Sequence, residues 1–283
     1  MMQDEANGRT HLYNAHATIL SGSLTLPLVH QIRPQARVEL PEEGGYHSQR
    51  AENYRLEGVI SFRSAYTQVA GNRSTKPGQG WTTLTTTAIE GLNILDVLTA
   101  DRIVGQTITE HPLVGYVPTV NFLGTRFENL RIAGHPISLD LDLGILGSKP
   151  DNDGSYAQDS GVVQRTSAQH KRILDDSALP AQLRERYNQL LSTVGSPEKV
   201  ECSLVNRASG GHPGQSFGHV IDIPDFGKII LGKVTVTSED FKPGTTTPRK
   251  TTIDLTMIDL ELGCAVAGGG SVGHGSTNGG TMP

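Results

Sequence analysis

Two histidines, His212 and His219, stand in the segment SGGHPGQSFGHVIDIPDFG, with Asp222 and Asp225 close behind. Imidazole nitrogens and carboxylate oxygens are ordinary ligands of zinc and related ions. On a strand, however, His219 and Asp222 have an odd separation and point to opposite faces, which argues against a shared coordination shell. Loop histidines with ordinary hydrogen bonds are the expectation, and no metal-ligand set is singled out. Asp151, Asp153, Gly154 and Asp159 form a second group with calcium-loop chemistry. If Asp153 and Gly154 held the fifth and sixth positions of an EF-hand loop, Lys149 would be first and Ser160 twelfth, where carboxylates are required. A polar turn is the expectation there. Asp140 and Asp142 alternate with Leu139, Leu141 and Leu143. Paired carboxylates can serve as acid and base, yet a strand with leucine inward and aspartate outward has the same pattern.

Nothing else in the chain has the spacing of a reactive motif. There is no G-x-S-x-G elbow and no Walker loop. Gly268–Gly270 follow an expected strand with no helix after them, which excludes a phosphate-cradling loop. A Ser-His-Asp triad can be drawn from distant residues, but nothing selects one. The expectation is therefore no catalytic residue, no cofactor-binding residue and no cofactor.

Net charge is −5, which disfavours nucleic acid as a partner because phosphate neutralisation needs clustered cations. The nearest cluster, Arg165, Lys171, Arg172, Arg184 and Arg186, is interrupted by acidic residues and reads as a solvated helix face. Cys202 and Cys264 could form a disulfide or remain two buried thiols, and both alternatives stay open. Without a Cys-x-x-Cys pair they do not suggest zinc. The N-terminal MMQDEANGRTHLYNAH lacks a basic start followed by an apolar stretch, so no secretory signal is expected. No apolar run is long enough for a membrane span. Leu262-Gly263-Cys264 matches a lipoprotein box only by chance, being far from an N-terminal signal.

Short runs of Thr, Val, Ile and Leu are cut by Gly, Pro and Asn every eight to twelve residues from Gly80 to Asp142, and again from Gly218 to Gly263. That rhythm predicts an all-β domain, sandwich- or barrel-like, with one α-helical insertion. Residues 1–146 form its β-rich N-terminal part, and residues 200–266 complete the same domain. The insertion, 147–199, contains a polar loop and helices at 163–175 and 178–194. Ser177 is the expected N-cap of the second helix, Pro180 lies in its first turn and Gly195 closes it. Leu179, Leu183, Tyr187, Leu190, Leu191 and Val194 form one apolar stripe, expected to bury on the β core. Residues 267–283 read as a Gly-rich tail that would be flexible in isolation.

The runs I-E-G-L-N-I-L-D-V-L-T-A-D-R-I-V (89–104) and F-E-N-L-R-I-A-G-H-P-I (127–137) resemble the central pattern of bacterial choice-of-anchor P family proteins. F-G-K-I-I-L-G-K-V-T-V-T (226–237) and T-T-I-D-L-T-M-I-D-L-E-L-G (251–263) look like that family's closing strands. The resemblance covers about half the chain and implies a β-rich, secreted or cell-surface protein without assigned catalytic residues. The chain departs from it in lacking a recognisable leader and anchor and in carrying the helical insertion. Two functions are expected from these readings. The first is a non-catalytic, β-rich structural or surface-binding protein that self-associates as a homo-oligomer, through exposed strands or the Gly-rich tail. The alternative is an enzyme on a β-sandwich or barrel that uses scattered His and Asp residues.

Overall fold

The computed structural model describes residues 2–3, 10–26, 29–56, 58–240, 249–263 and 266–282. Its first half contains strands β1 (Met2–Gln3), β2 (Thr10–Leu12), β3 (Ala15–Leu26), β4 (His30–Gln35), β5 (Val38–Glu39), β6 (Gly45–Leu56), β7 (Ile60–Arg73), β8 (Gln79–Ile94) and β9 (Leu98–Pro112). Five short strands follow: β10 (Thr119–Asn121), β11 (Arg126–Glu128), β12 (Arg131–Ile132), β13 (His135–Pro136) and β14 (Ser138–Leu141). Helices α1 (Ser160–Leu174) and α2 (Ala181–Thr193) come next. The chain then returns to strands: β15 (Lys199–Ser203), β16 (Val205–Ser209), β17 (Gln215–Phe217), β18 (Val220–Ile223), β19 (Gly227–Asp240), β20 (Arg249–Leu262), β21 (Ala267–Thr277) and β22 (Gly280–Met282). Strand outweighs helix by 58% to 13%, so the fold is all-β with a helical insertion, as the periodicity predicts.

Two antiparallel sheets carry the architecture. One runs β13-β12-β9-β8-β7-β6, with β10 and β11 also on β9; the other runs β17-β18-β19-β20-β21-β3-β4, with β15 on β19 and β5 on β3. Strands β3 and β21 lie across β7, β8 and β9, and β20 lies across β9, so the sheets face each other as a sandwich. The β8–β9 hairpin closes through Leu95 and Asp96, at φ +54 and +56. Val97 N donates to the Ile94 carbonyl at 3.0 Å and Ile94 pairs with Leu98, so the connection has three residues and begins with two left-handed ones, the conformation of a type I′ turn.

Strict alternation breaks along one line of each sheet. Phe62 and Ala65, Ile89 and Leu92, and Ala100 and Ile103 are all buried at a spacing of three rather than two. At that line Asn53 and Gly91 have φ +51 and +64. The facing sheet bends likewise beside Met257, where Gly232 and Gly273 have φ +59 and +65. Each strand thus changes the face it buries, a local phase shift of the kind a bulge produces.

The Gly-rich segment is corrected by the structure. Residues 267–277 form β21, paired on both sides between β20 and β3. A Cβ on Gly268 would sit 2.2 Å from the Ser23 carbonyl oxygen, so only glycine allows this approach. Pairing inside its own sheet leaves the backbone of β21 unavailable for exchange with another copy.

The helical pair also shifts slightly. Helix α1 begins at Ser160, with the Asp159 carboxylate accepting from Val162 N at 3.0 Å. Helix α2 begins after Pro180 rather than at a Ser177 cap; Asp176 instead accepts from Ala178 N at 2.9 Å. Proline's fixed φ starts the helix without a side-chain cap. Leu179, Leu183 and Tyr187 bury against Ile173, Phe217, Val220 and Ile230, while Leu191 and Val194 stay half-exposed. The stripe therefore docks on the β core through its N-terminal half.

Candidate functional site

His212 and His219 are not brought together. His212 is a half-exposed loop residue, with Nε2 2.8 Å from Ser216 Oγ and Nδ1 3.2 Å from the Pro213 carbonyl. His219 is buried, and its Nε2 lies 2.8 Å from the Tyr187 hydroxyl. Asp222 lies in β18 opposite Gln215 and Lys228, and Asp225 occupies a turn at φ +60. Among the described residues, no group of three or more His, Cys, Asp or Glu could hold a metal ion.

The acidic residues have local structural jobs. The Asp153 carboxylate accepts from Tyr116 N at 2.8 Å and Val117 N at 3.2 Å, and Lys149 approaches to 3.6 Å. Burial alone would raise its pKa, but those two donors and the Lys149 ammonium together bring it below the usual value. It ties the loop after β9 to the insertion. Asp142 accepts from Gly144 N at 3.0 Å, turning the chain after β14. Asp140 is exposed, with half-buried Leu139 and Leu141 on the other face. Cys202 is buried, and burial pushes its thiol up to about 12; Cys264 lies outside the described residues.

Two features escape single-segment reading. The first is a buried seam under the helical pair. His170 of α1 meets Tyr187 of α2 edge-on at 5.6 Å between ring centroids, and Tyr187 meets His219 at 5.7 Å. Burial, then the nearby His170 and Arg186, lower the His219 pKa to about 3. Burial lowers that of His170 as well, against the opposing pull of Glu201. Both imidazoles are therefore neutral at pH 7. Above the seam, a groove of about 470 Å³ runs between α2 and β15 and is lined by Arg186, Leu190, Val194, Lys199 and Glu201. Three of its charged residues are ion-paired: Arg186 reaches Glu261 at 2.8 Å and Glu201 at 3.5 Å, and Lys199 reaches Glu201 at 3.4 Å. The seam is a packed joint rather than an open reaction centre, although His170 Nδ1 and His219 Nδ1 have no hydrogen-bond partner among the described residues.

The second feature is the difference among the strands that end the two main sheet paths, β13 and β6 in one and β17 and β4 in the other. Strand β13 has two residues and ends in Pro136, and β17 has three. Strand β4 contains Pro34, which has no N–H to offer a neighbour. These are common guards against edge-to-edge pairing. Strand β6 has none of them. It runs for twelve residues without proline, none of them buried, and pairs on one side with β7. Its bend at Asn53 comes late, leaving Tyr46–Glu52 as a regular stretch. There the two opposite charges neutralise each other, Arg50 to Glu52 at 2.7 Å. Tyr46 is 62% exposed. The sequence singles out neither Gly45–Glu52 as a strand nor β6 as an edge.

Among the described residues, no helix is long and apolar enough to cross a membrane. The family described as Domain of unknown function (DUF8256) matches residues 11–237, from within β2 to within β19. No curated protein and no solved structure matches the chain.

Proposed function

The chain belongs to the Domain of unknown function (DUF8256) family, and from that premise we propose a non-catalytic, β-rich structural or surface-binding protein that self-associates. The observation that carries this reading is the unguarded edge of β6. An open edge presents a row of backbone donors and acceptors to another strand, and main-chain pairing supplies affinity without a reactive group. Nothing in the ion-paired groove or the buried histidine seam favours catalysis over this reading. The resemblance to choice-of-anchor P proteins agrees with a surface role.

Light scattering over a concentration series tests the proposal. The wild type is expected to form dimers or larger species. Gln49→Lys, on an exposed position of the edge, should return it to monomer without lowering its melting temperature, because a charge on the edge opposes pairing. A wild-type chain that is monomeric at every concentration would overturn the proposal.

A further inference from the structure

Resting on that reading, we propose that the partner is a second copy of this chain, joined edge to edge through Tyr46–Glu52 of β6 about a two-fold axis at Gln49. The stretch Tyr-His-Ser-Gln-Arg-Ala-Glu is complementary to itself when run antiparallel. With Gln49 facing the partner's Gln49, two amides meet, each able to donate to the other's oxygen. Ser48 then faces the partner's Arg50, and Tyr46 faces the partner's Glu52. Each is a donor–acceptor match, and no like charges stand directly opposite. His47 faces the partner's Ala51.

Other registers fare worse. A slip of one residue opposes an outward side chain to an inward one. A two-residue slip in one direction puts Arg50 against the partner's Arg50, which is destabilising. In the other direction it leaves Glu52 beyond the paired run, and with it the hydroxyl–carboxylate match. Beyond Glu52, the left-handed Asn53 at φ +51 ends the regular stretch. Strand β7 already pairs with Tyr46–Glu52 through Ala70–Ser64. The dimer would therefore make one continuous antiparallel sheet running through β7, β6, and their counterparts in the second copy.

Cysteine placement tests the axis in the full chain. Directly opposed residues bring their Cβ atoms to about 5 Å, within reach of a short bis-maleimide and close to disulfide range. Gln49→Cys should give a covalent dimer on oxidation or cross-linking, above the baseline that the native Cys202 and Cys264 set in the wild type. Tyr46→Cys and Glu52→Cys should each stay uncoupled alone and couple when mixed, because each faces the other across the axis. Light scattering on the same samples separates the two readings. If the chain associates but Gln49→Cys does not couple, or Tyr46→Cys couples alone, this axis is wrong and self-association by another surface stands. If no variant or wild type associates, both fall.

Discussion

The two ends of the sandwich are built from the same strands but with different interiors. At and beyond the bend line, β8 and β9 turn Ile89, Leu92, Ile94, Leu98, Ala100 and Ile103 inward, and these join the large aliphatic core. On the near side the same strands turn in Trp81, Thr83, Thr85, Thr87, Thr107, Thr109 and His111. Strand β21 adds Gly273 and Gly275, whose absent Cβ atoms would lie 3.2 and 3.0 Å from Thr87 and Thr85 Oγ1. The second interior is thinner, with glycine facing threonine across the sheets. His11 stacks on Trp81 at 4.9 Å and stands 4.7 Å from His111. The hydroxyls of Thr83, Thr107, Thr109 and Thr277 have no hydrogen-bond partner among the described residues. One end is thus held by apolar burial at about 25 cal/mol per Å². The other gives up part of that gain to buried hydroxyls and imidazoles. A sandwich can be shaped by glycine and threonine, but its stability then leans on the aliphatic end.

The largest effect should come from the aliphatic end. Leu92→Ala deletes a side chain that is fully enclosed, and should cost about 2–5 kcal/mol in denaturant unfolding. If it cost no more than a threonine truncation at the other end, the contrast between the interiors would be mistaken.

Acid should act mainly on the polar end. Burial, with His111 nearby, lowers the His11 pKa to about 2; burial lowers that of His111 to about 4. His219 behaves in the same way at about 3. The unfolded chain, with histidine near 6.5, binds more protons than the native state between those values. The stability from keeping these rings neutral is therefore complete above pH 6.5 and is lost as pH falls from 6.5 through the native values. At pH 5 the loss should be up to about 2 kcal/mol per histidine. Hydrogen exchange at pH 5 should show β2 and the Trp81–Thr87 part of β8 opening before the Ile89–Ile94 part. Uniform opening along β8 would contradict this.

The smallest effect is also the most discriminating. Thr83→Val and Thr107→Val replace a hydroxyl with a methyl of nearly the same shape, at sites where that hydroxyl has no hydrogen-bond partner among the described residues. Both should be neutral or stabilising by roughly 1 kcal/mol. A loss of 1 kcal/mol or more in thermal unfolding would mean that those hydroxyls are satisfied, for instance by bound water.

Much of this was legible in the chain. Turn residues marked the hairpin at Asp96, and the runs around it are β8 and β9. The helical stripe identified Leu183 and Tyr187 as docking residues. The misreadings have a common cause. Gly268–Gly270 carry no side chain, so their composition resembles a linker until β3 and β20 are seen to need that close approach. Strict alternation fails at Ala65, Leu92 and Ile103 because a bend shared across strands shifts the phase. For the candidate sites, His219 was noticed, but its neighbours His170 and Tyr187 come from the two helices, far along the chain.

By itself, the sequence determined the strand-and-turn rhythm, the place of the insertion and the absence of recognisable reactive motifs, because period-two burial and turn chemistry are local properties of a few residues. Which strand lies at an edge, where the Gly-rich segment inserts and which interior is polar were decided by strand order. That order depends on long-range burial and backbone pairing between segments as distant as β3 and β21, which no short window of residues encodes.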